Sequence, residues 1–244
     1  MKVGLFIPCY IDQFYPDAAI ATLQLLQKLG VDVTYPLNQT CCGQPMANSG
    51  FEHLTAGCEA LFIENFADFD YIVSPSGSCT LHLKEHLHSD HAPKTALDIR
   101  SKLYELTEFL TDILEVKTLL ARFPHRVGMH QACHGQRGLK LSQMSELVAE
   151  PFSKPQYLLD MVDGIEMVEL TRPDECCGFG GTFCVTEEAV SVKMGKDRIA
   201  DHISHGAEFI TSTDMSCLMH LEGLLKRSGS KVKVKYIAEI LNAS

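Results

Sequence analysis

Short apolar runs alternate along the chain with longer segments in which apolar residues recur at helical spacing. Lys2–Ile7 is an apolar run that ends at Pro8, and Ala18–Leu29 carries its apolar residues on one helical face. Val31–Tyr35 then alternates apolar and polar residues, as a half-buried strand does. This order predicts a strand, a helix and a second strand at the start of the chain.

The remaining segments continue this alternation in both halves of the chain. Phe51–Phe66 predicts a helix, Tyr71–Val73 a short buried strand and Leu103–Leu120 a further helix. Later strands are predicted at Arg126–His130, Ile165–Leu170, Glu208–Thr211 and Val232–Tyr236, and later helices at Thr186–Ser204, Asp214–Lys226 and the C-terminus. Strands that alternate with helices indicate the α/β class with mainly parallel sheets.

Eight of the ten cysteines recur in the same order in the two halves of the chain. Each half contains a single cysteine, then Cys-Cys-Gly, then Ser-Cys-x-x-His, with the cysteines at Cys9, Cys41, Cys42 and Cys79 and again at Cys133, Cys176, Cys177 and Cys217. Three matching landmarks in one order indicate duplication of a whole domain. Because Phe123-Pro124 interrupts the chain just before the second copy, we predict two pseudo-symmetric α/β domains, at residues 1–122 and 123–244.

The composition fits a folded globular protein and narrows its partners. The chain has 244 residues, of which 45% are hydrophobic, and its formal net charge is −10. This negative charge opposes the basic surface that binding to nucleic acid or anionic membranes requires. No apolar run approaches the length of a membrane span, and the first apolar run is too short for a signal peptide. We therefore expect a cytoplasmic protein with no nucleic-acid partner and no membrane span.

The repeated cysteines fall where a parallel sheet gathers its ligands. Each Cys-Cys-Gly segment follows a predicted strand, and loops beyond the carboxyl ends of parallel strands converge on one crevice. Cys79 and Cys217 are expected in the first turn of a helix, with Ser78 and Asp214 as N-caps, where the helix dipole favours a thiolate. The cysteine-bearing loops therefore predict one four-thiolate site in each half, of a kind that suits iron and sulfur.

Burial, zinc binding and thiol redox chemistry stay open as alternative roles for the cysteines at this point. Single free cysteines are commonly small buried hydrophobes, although a duplicated set of four is unusual for that role. Four thiolates also make a closed tetrahedral zinc site, but structural zinc usually takes C-x-x-C pairs rather than adjacent cysteines. Disulfides are disfavoured in the cytoplasm, whereas a reversible thiol couple within a pair is compatible with it.

The cysteine pattern resembles the duplicated cysteine-rich CCG domain. This domain is shared by the families of the cysteine-rich heterodisulfide reductase subunit, the glycolate oxidase iron–sulfur subunit and lactate utilisation protein A. The resemblance spans essentially the whole chain and is closest to the last of these families in the segments Gly4–Tyr10, Asn38–Pro45 and Glu175–Phe183. It implies an electron-transfer subunit in a complex that oxidises L-lactate to pyruvate. Two further subunits are implied as partners, one of them another iron–sulfur protein.

The chain departs from the heterodisulfide reductase pattern at the fifth cysteine of each half. That position holds His82 in the first half and His220 in the second. The resemblance therefore favours at most one four-cysteine [4Fe-4S] cluster in each half over a five-cysteine cluster pair. His82 and His220 are candidate iron ligands, donors to cluster sulfur or solvated side chains, and Cys184 is a candidate extra ligand of the second site.

Residues outside the eight cysteines supply no catalytic set that the sequence alone identifies. No Ser/His/Asp set, carboxylate pair or nicotinamide or flavin motif stands at a diagnostic spacing. His130 and His134 flank Cys133 and are candidate donors to cluster sulfur. The sequence therefore predicts an oxidoreductase subunit that is not catalytic alone. The alternatives are a thiol–disulfide redox subunit like heterodisulfide reductase and a zinc-binding scaffold or redox sensor.

Overall fold

Each half of the chain folds its short apolar runs into a four-stranded parallel sheet. The computed structural model describes residues 1–243. The strands are β1 (Lys2–Leu5), β2 (Asp32–Thr34), β3 (Tyr71–Ser74), β4 (Leu103–Glu105), β5 (Arg126–His130), β6 (Glu166–Met167), β7 (Phe209–Ser212) and β8 (Lys233–Val234). Their order is β2-β1-β3-β4 in the first sheet and β6-β5-β7-β8 in the second. The predicted α/β class with two parallel sheets is therefore confirmed.

The registers of the two sheets are equivalent. Val3 in β1 lies opposite Val33 and Tyr71, in the two neighbouring strands. In β5, Val127 likewise lies opposite both neighbouring strands, next to Met167 and Phe209. The duplication that the cysteines indicate thus extends to strand order and register. The predicted domain limits at 122 and 123 separate the two sheets in sequence and stay a prediction.

Helices connect the strands as parallel sheets require. In the first half they are α1 (Cys9–Phe14), α2 (Pro16–Lys28), α3 (Gln44–Asn48), α4 (Ala56–Phe66), α5 (Gly77–His86), α6 (Pro93–Lys102) and α7 (Leu106–Glu108). In the second half they are α8 (Lys154–Leu159), α9 (Phe183–Thr186), α10 (Glu188–Ser204), α11 (Met215–Ser228) and α12 (Ile237–Leu241). Within the described range, no helix has both the length and the apolar character needed to cross a membrane.

The predicted helix over Leu103–Leu120 is wrong in its first and last parts. Leu103–Glu105 forms β4, which pairs with β3, and only the short helix α7 and the π turn Phe109–Ile113 follow it. The sequence misleads here because Leu103 and Leu106 are one helical turn apart, and both are fully buried. A short strand followed by a helix therefore shows the same apolar spacing as one longer helix.

The larger apolar core contains buried residues from both halves. It includes Val3 and Leu25 from the first half together with Val127 and Ile240 from the second. Helix α12, at the end of the second half, packs against α2 of the first half. The Asn242 amide donates to Gln24 Oε1 at 2.9 Å, next to this helix pair. The two sheets are therefore held in a fixed relation by shared apolar packing.

A buried carboxyl group ends β4 at this shared core. Glu105 is fully buried, and its Oε2 accepts hydrogen bonds from the backbone N–H groups of Thr107, at 2.6 Å, and Glu108, at 3.3 Å. Its Oε1 atom has no partner. Burial raises the pKa of Glu105 from 4.5 to about 8, although the hydrogen bonds from Thr107 oppose that rise. The carboxyl group is therefore protonated in the folded protein at neutral pH.

We predict that Glu105 makes the folded protein less stable as the pH rises from 4.5 to about 8. In this window Glu105 is ionised in the unfolded chain and protonated in the folded protein. The free energy of unfolding therefore falls by up to about 1.4 kcal/mol per pH unit. Glu105→Gln should abolish this part of the pH dependence, because an amide does not ionise. Urea unfolding at several pH values measures it, with exposed Glu64→Gln as the control. Equal slopes in wild type and Glu105→Gln would contradict the assignment.

Candidate metal centre

All eight repeated cysteines line one cavity between the two halves. The cavity has a volume of about 240 Å³, and its cysteines are Cys9, Cys41, Cys42, Cys79, Cys133, Cys176, Cys177 and Cys217. Within each half, the cysteines follow the carboxyl ends of the first three strands of the sheet. The structure therefore brings together the residues that the sequence singled out. It also places the two predicted sites side by side in one cavity, which the sequence pattern did not predict.

The first set of cysteines forms two close sulfur pairs. The Sγ atoms of Cys9 and Cys41 are 3.8 Å apart, and those of Cys42 and Cys79 are 3.3 Å apart. The backbone N–H of Gly43 donates to Cys41 Sγ at 3.4 Å. Gly43 has a φ of +91°, a backbone conformation that favours glycine. This turn lets the backbone N–H face the sulfur.

The second set repeats this turn. The Gly178 N–H donates to Cys176 Sγ and the Phe179 N–H to Cys177 Sγ, both at 3.4 Å. Gly178 has a φ of +85°, and a Cβ atom there would lie 2.7 Å from the Ser191 carbonyl oxygen. Substitution of Gly178 would therefore displace either the turn or the neighbouring helix α10. Each Cys-Cys-Gly segment thus needs its glycine for conformation and for space.

A histidine joins the second set. A ligand nitrogen of His130 and the sulfurs of Cys177 and Cys217 all lie within 4.8 Å of one another. His130 is fully buried, and neither ring nitrogen has a hydrogen-bond partner. Burial, together with the nearby charge of Arg198, lowers the pKa of His130 to about 3, so the imidazole is neutral. The other candidate donor of this segment, His134, lines the cavity.

The crowded thiols cannot all ionise together without a positive partner. The pKa of Cys41 is lowered because the thiols of Cys42 and Cys9 and the Gly43 N–H donate to its sulfur. The same contacts raise the pKa values of Cys9 and Cys42, which serve as the donors. Metal ions bind cysteine as the thiolate, so a cation of high charge is the partner that lets all four sulfurs ionise. The donor set therefore fits an iron–sulfur or other thiophilic metal cofactor.

Two helix N-termini point at the cavity and are linked through one carboxylate. Cys79 and Cys217 each occupy the third position of their helix, α5 and α11. Asp214 is the N-cap of α11 and accepts a hydrogen bond from Ser216 N at 3.1 Å. Its other oxygen accepts from Ser78 N, in the opposite half, at 2.6 Å. The positive ends of both helix dipoles therefore lie beside the cysteines.

The expected cap of α5 is different in the structure. Ser76, and not Ser78, is the N-cap, since its hydroxyl accepts from Cys79 N at 3.4 Å. Ser78 lies in the first turn, where its N–H is bound by Asp214. Ser76 and Asp214 are equivalent residues of the two halves, since each is the N-cap three residues before the helix cysteine, and they form an isolated antiparallel bridge with each other. The sequence missed this link because nothing in a repeat pattern reveals which capping side chain reaches across to the other copy.

Three further predicted site residues lie near the cavity but do not line it. His82 is buried behind the first Cys-Cys-Gly turn. Its Nε2 atom lies 3.8 Å from the position that a Cβ atom would occupy if Gly43 carried a side chain. The ring nitrogen Nε2 of His220 lies 3.4 Å from the carbonyl oxygen of Ser191 in α10. The Cys184 thiol donates to a backbone carbonyl three residues earlier, at 3.0 Å. Their metal roles stay predictions.

Aromatic side chains from both halves meet at the cavity. Tyr10 and Phe179 both line it, and their rings pack edge to face with centroids 5.9 Å apart. Burial raises the pKa of Tyr10, and nearby Cys9 adds to the rise. The sequence associated the run that begins at Phe179 with the Cys-Cys-Gly turn, but it predicted neither a role for Tyr10 nor the contact between the two rings.

The chain matches a known protein family and is similar to named proteins over its whole length. Residues 3–84 and 127–222 match the cysteine-rich domain family CCG. The chain is 40% identical to lactate utilization protein A from Exiguobacterium sp., over 99% of this chain and 97% of that protein. It is 39% identical to the protein of the same name from Geobacillus kaustophilus, over 100% of this chain and 99% of that protein.

One solved structure shares the fold. A hypothetical protein from Helicobacter pylori superimposes on 98% of this chain with a TM-score of 0.60 at 15% sequence identity. This chain spans about half of that protein, since the match covers 48% of its length. At this identity the likeness concerns the fold alone.

We predict that Asp214→Ala lowers the free energy of unfolding by about 2–3 kcal/mol. The variant loses a helix cap, which contributes about 1 kcal/mol, and buried hydrogen bonds to the other half, which contribute about 1 kcal/mol each. Urea unfolding measures the change. Ser153→Ala, which removes the N-cap of α8 and no hydrogen bond between the halves, is the matched control and should cost about 1 kcal/mol. Equal losses in the two variants would show that the carboxylate adds nothing across the halves.

Proposed function

The chain belongs to the lactate utilization protein A family of cysteine-rich CCG-domain proteins, and we propose that it is an iron–sulfur electron-transfer subunit for the oxidation of L-lactate to pyruvate. The observation that carries this proposal is the convergence of eight cysteines on one cavity. The names of its relatives connect the family with lactate utilisation. In this proposal two further subunits complete the complex, one of them another iron–sulfur protein, and the chain works in the cytoplasm.

The proposed ligands are the four cysteines of each half. One [4Fe-4S] cluster in each half would be held by Cys9, Cys41, Cys42 and Cys79 in the first and by Cys133, Cys176, Cys177 and Cys217 in the second. When bound, such a cluster supplies a one-electron carrier. The N–H groups of Gly43 and Gly178 orient sulfurs, and the N-termini of α5 and α11 offset the negative charge of the thiolates.

The cavity is poorly suited to lactate itself. A lactate carboxylate would be bound well by a cationic side chain, as carboxylates usually are in proteins. Among the described residues that line the cavity, none is a lysine or an arginine. The carboxylate of Asp214 lies there instead, with both oxygens occupied by hydrogen bonds. We therefore assign lactate binding and oxidation to a partner subunit.

Zinc is the second candidate cofactor because one sulfur–sulfur distance matches that of a tetrahedral zinc site. Zn–S bonds of about 2.3 Å in a tetrahedral site separate the sulfurs by about 3.8 Å. The sulfurs of Cys9 and Cys41 are 3.8 Å apart. Metal analysis distinguishes this scaffold role from electron transfer, since iron with acid-labile sulfide supports the cluster and zinc without sulfide supports the scaffold.

We predict that serine replacement in one set removes only that set's iron. Cys41→Ser should empty the first site and Cys176→Ser the second, because a hydroxyl replaces the thiolate ligand in each. Iron and sulfide are measured on protein purified without oxygen, and electron paramagnetic resonance separates the two signals. Cys58→Ser, in α4 and outside the cavity lining, is the control and should keep the full content. Unchanged iron in Cys176→Ser would eliminate the second site.

We also predict that the isolated chain does not oxidise lactate and that it does so only together with its partner proteins. The reason is that no lysine or arginine lines its cavity to bind the substrate carboxylate. Turnover is followed as pyruvate formation by the purified chain with and without the partners. In cells, loss of the chain should impair growth on lactate and spare growth on glucose. Rapid lactate oxidation by the pure chain would refute the assignment.

A further inference from the structure

The two halves differ in the layer of side chains that lies beneath their cysteines. In the first half this layer is aromatic, with the ring centroids of Phe6 and Phe62 5.0 Å apart and those of Phe62 and Phe66 4.6 Å apart. Phe6 and Phe62 belong to the same apolar cluster as Cys42 and Cys79. Cys42 and Cys79 therefore pack with aromatic side chains, which offer their sulfurs no hydrogen bond.

In the second half, basic side chains occupy the equivalent places. His130 stands three residues before Cys133 in the same way that Phe6 stands three residues before Cys9. A Cβ on Gly4 would meet Phe66 of α4 and also Phe69, and a Cβ on the equivalent Gly128 would meet His202 of α10, so the two helical side chains, Phe66 and His202, correspond.

The remaining pair of equivalent positions, Phe62 in the first half and Arg198 in the second, follows from helix spacing. Arg198 stands four residues before His202 on α10, as Phe62 stands four residues before Phe66 on α4. The three basic residues are each fully buried. We call His130, Arg198 and His202 the basic layer.

The basic layer holds unused hydrogen-bond donors. The neutral imidazoles of His130 and His202 each carry one N–H donor and one acceptor nitrogen, and none of these has a partner; Nε and Nη2 of Arg198 also lack partners. Buried nitrogens without partners are rare, because each costs about 1–3 kcal/mol of desolvation. For His130, an acceptor held at the neighbouring cysteines is the simplest explanation.

The nearest acceptors of that kind are the second set of thiolates and whatever inorganic group they bind. His130 approaches the sulfurs of Cys177 and Cys217 to within 4.8 Å. Arg198 is only partly neutralised by its own helix, since Nη1 forms an ion pair with Asp201 at 3.3 Å. The remaining carboxylate nearby is Glu175, whose Oε1 pairs with Arg172 at 2.7 Å, while its Oε2 is buried without a partner and is a protein acceptor that Arg198 could use.

We propose that the basic layer gives the second site a higher reduction potential than the first, with His130 as the residue that contacts it. This proposal rests on the proposed function. Donors to cluster sulfur and nearby positive charge stabilise the reduced state, which is one unit more negative, whereas the phenylalanine layer does not. One electron then passes from the first site, which is oxidised, to the second, which is reduced.

The test exchanges the two equivalent residues. In a Cys41→Ser background, which retains only the second site, His130→Phe should lower the potential of that site while its iron and sulfide are retained. His130→Gln keeps an N–H donor and should give a potential closer to that of wild type. In a Cys176→Ser background, Phe6→His should raise the potential of the first site. Redox titration followed by electron paramagnetic resonance gives each value on the iron-loaded protein.

The outcomes separate this proposal from the function on which it rests. A wild-type chain that binds no iron overturns the proposed function and with it the potential difference. A chain that binds iron but has its second site at the same or a lower potential overturns only the role of the basic layer. An unchanged reduction potential of the second site in His130→Phe would also overturn the role of the basic layer and leave the proposed function intact. Loss of iron from His130→Phe, with iron retained by Phe6→His, would show that His130 holds the metal rather than tuning it.

Discussion

The carboxylate of Asp214 joins the two halves at the point where their cysteine helices meet. One oxygen caps α11, and the other binds the first turn of α5 in the opposite half. Because Cys79 and Cys217 occupy the same position in these helices, this link brings both cysteines to one cavity. It also places a buried negative charge beside eight thiols, and the four hydrogen bonds from serine residues are what make that charge tolerable. The shared cavity depends on this contact.

Duplication has preserved the backbone and varied the buried polar groups. The strand orders and registers of the two sheets correspond, and each Cys-Cys-Gly turn uses a glycine with positive φ. The capping positions differ, since Ser76 in one half corresponds to Asp214 in the other. Glu105 and Tyr236, the N-caps that follow β4 and β8, are another unlike pair at equivalent places. Such substitutions change charge and hydrogen bonding at buried positions without altering the fold, so two similar sets of cysteines can acquire different surroundings.

The sequence predicted the fold class and the convergence of the cysteines because both follow from local patterns. A cysteine in the loop that follows a parallel strand lies at the carboxyl end of the sheet, and this holds independently of how the two halves pack. The shared cavity depends instead on how the two halves pack, and no periodicity records that. His130 of the basic layer was singled out from the sequence, but Arg198 and His202 were missed, since they look like the polar face of an amphipathic helix until the structure shows both buried. Leu103 was misassigned because a short strand and a helix can share the same apolar spacing.

Sites that share one cavity cannot be independent of each other. Like charges held in one cavity of about 240 Å³ repel each other, because the effective dielectric constant within a protein is about 20 rather than the value of about 80 in water. In the proposed electron-transfer role, an electron added at one site would therefore make a second electron harder to add at the other. If both sites had the same surroundings, the first electron would be divided equally between them. An aromatic layer beneath one set of thiols and unpartnered nitrogen donors beneath the other remove that symmetry. The buried residues that distinguish the two copies are thus the ones able to decide where a single electron resides.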